Sequence, residues 1–193
     1  MDGQHETAGS PIADLKDDHR VIERGLAVLE LLARRARQED AFETEAIGRC
    51  VEFFKLFADA CHHGKEEDLL FPALEARGVP RQGGPIGVML EEHRVGRGYV
   101  AEMAAGLAQL EDNPATARER LLTAADRYVG LLRAHIFKED NILFEIGDQV
   151  LTEGDRRELD RGFCDVRCRA FDGRTREQLL GIVSQLEADW LGR

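Results

Sequence analysis

Apolar residues recur at intervals of four and three along four long segments of the chain, and no segment alternates over a useful strand length. In the first segment Leu15, His19, Ile22, Leu26, Leu29 and Ala33 fall on one helical face. The second, from about Glu43 to Arg77, aligns Phe54, Ala58, His62, Glu66, Leu69 and Ala73, with Pro72 expected to kink it or loosen its last turn. The third, from about Ile86 to Leu110, turns Met89, His93, Val100, Met103 and Leu107 inward. In the fourth, Leu121, Ala125, Tyr128, Leu132, His135, Glu139, Ile142 and Ile146 alternate without a break. Proline and glycine punctuate "RGVPRQGGP" (77–85), "EDNPA" (111–115) and "TEGD" (152–155). The pattern predicts an all-α fold, an antiparallel up-down-up-down four-helix bundle over residues 10–152. A C-terminal extension, residues 153–193, carries Leu179, Ile182 and Leu186 and is expected to place one short additional helix on the bundle.

Polar residues interrupt every one of these seams. They belong to an internal repeat: "DDHRV" at 17–21 returns as "EEHRV" at 91–95, and "HHGKEEDLLF" at 62–71 returns as "HIFKEDNILF" at 135–144. Aligned through Phe71 and Phe144, the halves pair His62 with His135 and Glu66 with Glu139, and leave His63 and Glu67 out. On an α-helix neighbouring positions differ by roughly 100°, so His63 is expected off the seam, either behind the inward residues or at the surface. A His and a Glu four residues apart lie one turn apart on one helical face and can aim at one interior point. Two such pairs and two further histidines give the set His19, His62, Glu66, His93, His135 and Glu139. Four imidazoles and two carboxylates suit two metal ions, with the histidines as terminal ligands and the carboxylates available to bridge. Such ligation favours iron or manganese, and six protein ligands shared by two ions leave open positions for an oxo or hydroxo bridge, water or a diatomic molecule.

A lone histidine on an apolar seam is more often a hydrogen-bonded core residue than a ligand. Here all four segments repeat the feature and two add a glutamate, and burying two carboxylates without a cation is costly. Tyr128 is expected to fill the core beside the site. Cys164 and Cys168, four apart in "CDVRC", lack further soft ligands, and all four cysteines are expected as free thiols. His5 is expected in a frayed tail.

Composition narrows the partners. The 193 residues carry a formal charge of −11 with no basic run, which argues against a nucleic-acid surface. No segment approaches the roughly 20 apolar residues that span a bilayer, and the amino terminus has no leader pattern, so a cytoplasmic protein is expected.

The motifs "DDHRVIE", "CHHGKEEDLLFP", "GGPIGVMLEEH" and "HIFKEDNILF" together resemble the bacterial hemerythrin-like family, the HHE cation-binding domain, over roughly residues 10–150. The resemblance implies a four-helix bundle holding a non-haem di-iron centre, with His19, His62, His93 and His135 as terminal ligands and Glu66 and Glu139 as bridges. It also implies oxygen, nitric oxide or peroxide as the small ligand, handled by binding, sensing or reduction, or else a role in iron handling or iron-centre repair. A sensor would signal through a separate protein partner. Two departures stand out. The oxygen carriers have His-x-x-x-His on the third helix, where this chain has Arg97 after His93, and they use His-x-x-x-x-Asp on the last, where the repeat favours Glu139 over Asp140. The Glu-x-x-His motif of ferritin-type oxidases does not occur.

Overall fold

The computed structural model describes residues 10–39 and 41–192, so His5 lies outside the described residues. The first rod is α1 (Pro11–Gln38), entered through a proline whose missing N–H costs nothing in a first turn. The second is continuous from α2 (Thr44–Phe53), through π-helical turns at Phe54–His63 and Glu66–Leu70, into α3 (Phe71–Ala76). Pro72 neither ends nor breaks this rod. It falls in the first turn of α3, directly after the π-helical winding, where an interior hydrogen bond is not required of it. After the turn containing Gly83 (φ +67°), α4 (Pro85–Ala108) runs back, and α5 (Pro114–Lys138) continues through a third π-helical turn, Glu139–Leu143, into α6 (Phe144–Val150). The expected all-α bundle is borne out.

Close helix contact depends on glycine at Gly106. A Cβ there would stand 2.9 Å from the Cβ of Leu121, so α4 and α5 could not approach as they do.

Two helices follow the bundle where the sequence pattern suggested one. The polar stretch after Val150 folds as α7 (Glu153–Arg167), started by a capping box between Thr152 and Asp155. A second box, Thr175 with Gln178, starts α8 (Arg176–Trp190), whose Leu179, Val183 and Leu186 are fully buried. Seams carried α8, but α7 has little apolar surface, and its capping box was the readable sign.

The apolar core is divided. A larger cluster gathers Leu26, Leu29, Phe53, Phe57, Met103, Leu121 and Leu132, and a smaller one gathers Leu15, Phe71, Leu74, Ile86, Met89 and Phe144. Between them, at the level of residues 19, 62–66, 93 and 135–139, lies a layer of buried polar side chains. Among the described residues, all three π-helical segments contain or adjoin this layer, a location common for such turns near functional sites.

Candidate metal centre

His19, His62, His93 and His135 come from four separate rods, and each presents Nε2 to the interior. Glu139 Oε2 lies 3.2 Å from His19 Nε2 and 3.1 Å from His135 Nε2. Glu66 spans the same gap with two oxygens: Oε1 is 3.5 Å from His62 Nε2, and Oε2 is 3.5 Å from His93 Nε2. Both carboxylates therefore stand between an imidazole pair His19/His62 and a pair His93/His135. The pairs have the same geometry, with ring centroids 4.7 Å apart and planes at 65° in each. The internal repeat has become an approximate twofold relation at the site. It extends to the floor, where His19 stacks on Phe144 and His93 on Phe71.

Donor atoms of His19, His62, Glu66 and Glu139 all lie within 4.8 Å of one another, as do those of His63, Glu66, His93 and His135. The six expected residues are thus brought together, and His63 joins them. It is buried, so a surface position is ruled out. The physical reason is the winding. His63 ends a π-helical run, whose wider turns separate neighbouring residues by a smaller angle than α-helical ones, so that both histidines of the "HH" pair stay inside.

Behind each of the four imidazoles His19, His62, His93 and His135 stands a carboxylate. Asp140 Oδ1 is 2.7 Å from His19 Nδ1 and Glu67 Oε1 is 2.7 Å from His93 Nδ1. Asp18 Oδ2 is 3.5 Å from His62 Nδ1, and Glu92 Oε2 is 3.1 Å from His135 Nδ1. An anionic acceptor at Nδ1, as His19, His93 and His135 have, keeps the proton there and turns the Nε2 lone pair inward, as a metal ligand requires; at His62 the carboxylate is a charged neighbour with no hydrogen bond made. These four were missed, although the repeat held the sign: Asp18 and Glu92 directly precede the lone histidines, and Glu67 and Asp140 follow the inward glutamates. Asp140 is accordingly a support of His19, and Arg97 is one of the groups that hold Glu67, at 2.7 Å.

An ion network with a buried centre, Asp18 and Lys65, ties the C-terminal extension to this layer. Asp18 accepts from Arg176 of α8 at 2.8 Å and pairs with Lys65 Nζ at 2.5 Å, while Asp14 joins Lys65 at 2.8 Å to Arg167 of α7 at 2.6 Å. Burial opposes the charge on Asp18, yet His62 and Lys65 hold its carboxyl well below the usual range. Asp18→Asn should therefore weaken metal binding by about 10- to 100-fold, as loss of a histidine's supporting partner commonly does. A competitive chelator titration reads the change; unchanged affinity would mean that Asp18 serves only Lys65 and Arg176.

The electrostatics of the layer call for a cation. All four carboxylate oxygens of Glu66 and Glu139 are buried and accept no hydrogen bond. Burial and the adjacent Glu139 push the Glu66 carboxyl well above its ordinary range. Burial works against a charge on His135, but Glu139 and Glu92 outweigh it and raise the imidazole to about 9. Nε2 of His93 and Nε2 of His135 are 3.1 Å apart, so two inward lone pairs would face each other unless a proton or a metal ion lay between them. The donor set therefore fits a bound metal: imidazole and carboxylate only, with thiols absent from the cluster. Cys50 and Cys61 are buried elsewhere, their thiols pushed up to about 12 and about 11 by desolvation, and Cys164 and Cys168 are exposed and free. Tyr128 is a core residue, its ring edge-on to Phe54 at 4.9 Å.

No described helix is long and apolar enough to cross a membrane. Comparison with known proteins agrees with the site. Uncharacterized proteins of Mycobacterium tuberculosis and Mycobacterium bovis are each 23% identical over 174 residues, covering 90% of this chain and 68% of theirs. The family model described as the hemerythrin HHE cation binding domain matches residues 10–146, the span that contributes every histidine and carboxylate of the buried cluster. The chain belongs to the hemerythrin HHE cation-binding domain family.

Proposed function

We propose that the chain holds two iron ions between Glu66 and Glu139, one beside His19 and His62 and the other beside His93 and His135, and binds or senses oxygen or nitric oxide there. The observation that carries this reading is the placement of both carboxylates, with four donor-free oxygens, between two matching imidazole pairs. Bound iron would supply open coordination positions for a small ligand; the protein supplies the shape and polarity around them. His19, His93 and His135 are held by hydrogen bonds to carboxylates on their outer nitrogens, and His62 faces the Asp18 carboxylate at 3.5 Å. Phe71 and Phe144 close one side of the layer with apolar surface and keep bulk water away from it.

His63 is left outside the ligand set. Its ring lies nearly parallel to that of His93, 14° between planes and 3.7 Å between centroids. An imidazole directs its lone pair in the ring plane, so two parallel, stacked rings cannot both point theirs at one ion. The assignment rests on this geometry and on the repeat.

Metal analysis of the purified protein, followed by absorption spectra of its reduced form with oxygen, nitric oxide or hydrogen peroxide, tests the reading. Iron and a stable, reversible adduct with oxygen or nitric oxide are expected. A single zinc with no ligand-to-metal absorption after expression in iron-replete medium would overturn it, and continuous consumption of peroxide or nitric oxide would make the protein an enzyme instead.

A further inference from the structure

A cavity of about 400 Å³ lies between the second rod and α4. Its wall is carbon for the most part: Val51, Gly96, Val100, Ala101, Ala104 and the ring of Tyr128. Among the described residues, His63 alone belongs both to this wall and to the buried donor cluster. Its Nδ1 is 3.3 Å from Asp59 at the cavity's polar end, its Nε2 is buried without a partner, and its ring stacks on His93.

Size decides what this space is for. A passage for a diatomic gas needs little more than the roughly 30 Å³ that one water molecule occupies in the liquid. The cavity is more than ten times larger and falls in the range of small-molecule sites, about 300–1,000 Å³. Its width comes from small residues on α4, and packing does not demand them. A Cβ added to Gly96 would meet only ordinary contacts, at 3.6 Å from Tyr128 and 3.8 Å from Leu131, and a glycine within a helix is destabilising. Charge narrows the class of occupant. Among the described residues two cations line the cavity, and both have anionic partners: Arg97 donates at 2.7 Å to Asp59 and at 2.7 Å to Glu67, and the exposed Lys55 pairs with Asp172 at 3.8 Å, so neither is left without a counter-charge. Two rings, His63 and Tyr128, contribute to the wall, and aromatic rings gain from offset or edge contact beyond the area they bury.

We propose that the cavity bounded by Val51, Gly96, Val100, Ala104, Tyr128 and His63 binds an uncharged, single-ring aromatic molecule. The molecule would lie next to the residue that stacks on His93, beside the metal centre and apart from it. The site is a feature of the bundle and does not depend on which small ligand the metal takes.

Fluorine NMR with 4-fluorophenol as the probe, on the purified full chain both metal-loaded and chelated, tests this. Saturable binding is expected in both forms with Kd below about 1 mM, within reach of an eight-atom ligand. Ala104→Trp and Ala101→Phe place bulk at exposed wall positions without disturbing buried packing. Both should weaken binding at least tenfold with an unchanged melting temperature. Charged 4-fluorobenzoate should bind at least tenfold more weakly than the phenol, and cyclohexanol should compete poorly. The proposal fails if the phenol does not saturate, if both filled variants bind it like the parent, or if chelation abolishes its binding, which would mark a metal ligand. It fails equally if cyclohexanol or the benzoate binds as well. None of these outcomes alters the metal content or the gas spectra on which the proposed function stands.

Discussion

Glu66→Ala should leave the protein with fewer than one metal ion per chain, where the parent is expected to hold about two. Of all the inward residues, Glu66 alone offers separate oxygens to both imidazole pairs, one 3.5 Å from His62 and the other 3.5 Å from His93. Its removal affects both halves at once. Glu139→Ala should act alike, since one Glu139 oxygen stands within 3.2 Å of both His19 and His135. Elemental analysis after gel filtration reads the result. Glu66→Gln separates loss of metal from loss of fold: the amide keeps the shape and removes a charge that burial and Glu139 both disfavour. That variant should lack metal and yet melt no lower than the chelated parent. Glu67→Ala provides the contrast. Sequence pattern alone places Glu67 outside the site, but its 2.7 Å contact with His93 Nδ1 makes it a support. It should weaken affinity by about 10- to 100-fold and still permit two ions at saturating iron. A Glu66→Ala protein that retained two ions would remove the carboxylate bridge from the account.

Chelation should lower the melting temperature by about 10 °C. Leaving a buried charge uncompensated costs about 3–5 kcal/mol, and for a chain of this length each kcal/mol moves the midpoint by roughly 2–4 °C. The product spans roughly 6–20 °C, and protonation of Glu66 and of His135 offsets part of the cost, which places the expected shift in the lower half of that range. Calorimetry before and after dialysis against a chelator, with re-addition of iron to restore the midpoint, provides the measurement. An apo-protein as stable as the loaded one would mean that the buried carboxylates were satisfied by protons alone.

The four rods and the six inward residues were legible because a helical seam exposes its own exceptions: a histidine at a position that should be leucine stands out, and here the repeat showed the same exceptions twice. What lay beyond reach depended on departures from ideal winding and on contacts between distant segments. His63 was expected behind the inward residues or at the surface, and the structure shows the first of these two places, which the sequence did not separate from the second. The π-helical run Phe54–His63 keeps it inside against His93. Asp18, Glu67, Glu92 and Asp140 sit one residue from the seam in sequence, and only the packed bundle sets them against the outer nitrogens of the four histidines. Arg176 lies 158 positions from Asp18, and nothing local announces that α8 supports the metal layer through it. The cavity was equally hidden, because a run of glycine and alanine on α4 reads as permissive helix, and its meaning appears only with the wall it leaves uncovered.

Anomalous diffraction at the iron edge from crystals of the iron-loaded protein tests the central claim most directly. Two peaks are predicted, one beside His19 and His62 and one beside His93 and His135, with Glu66 and Glu139 reaching both and His63 reaching neither. A single peak, or a peak bound through His63 in place of His93, would contradict it.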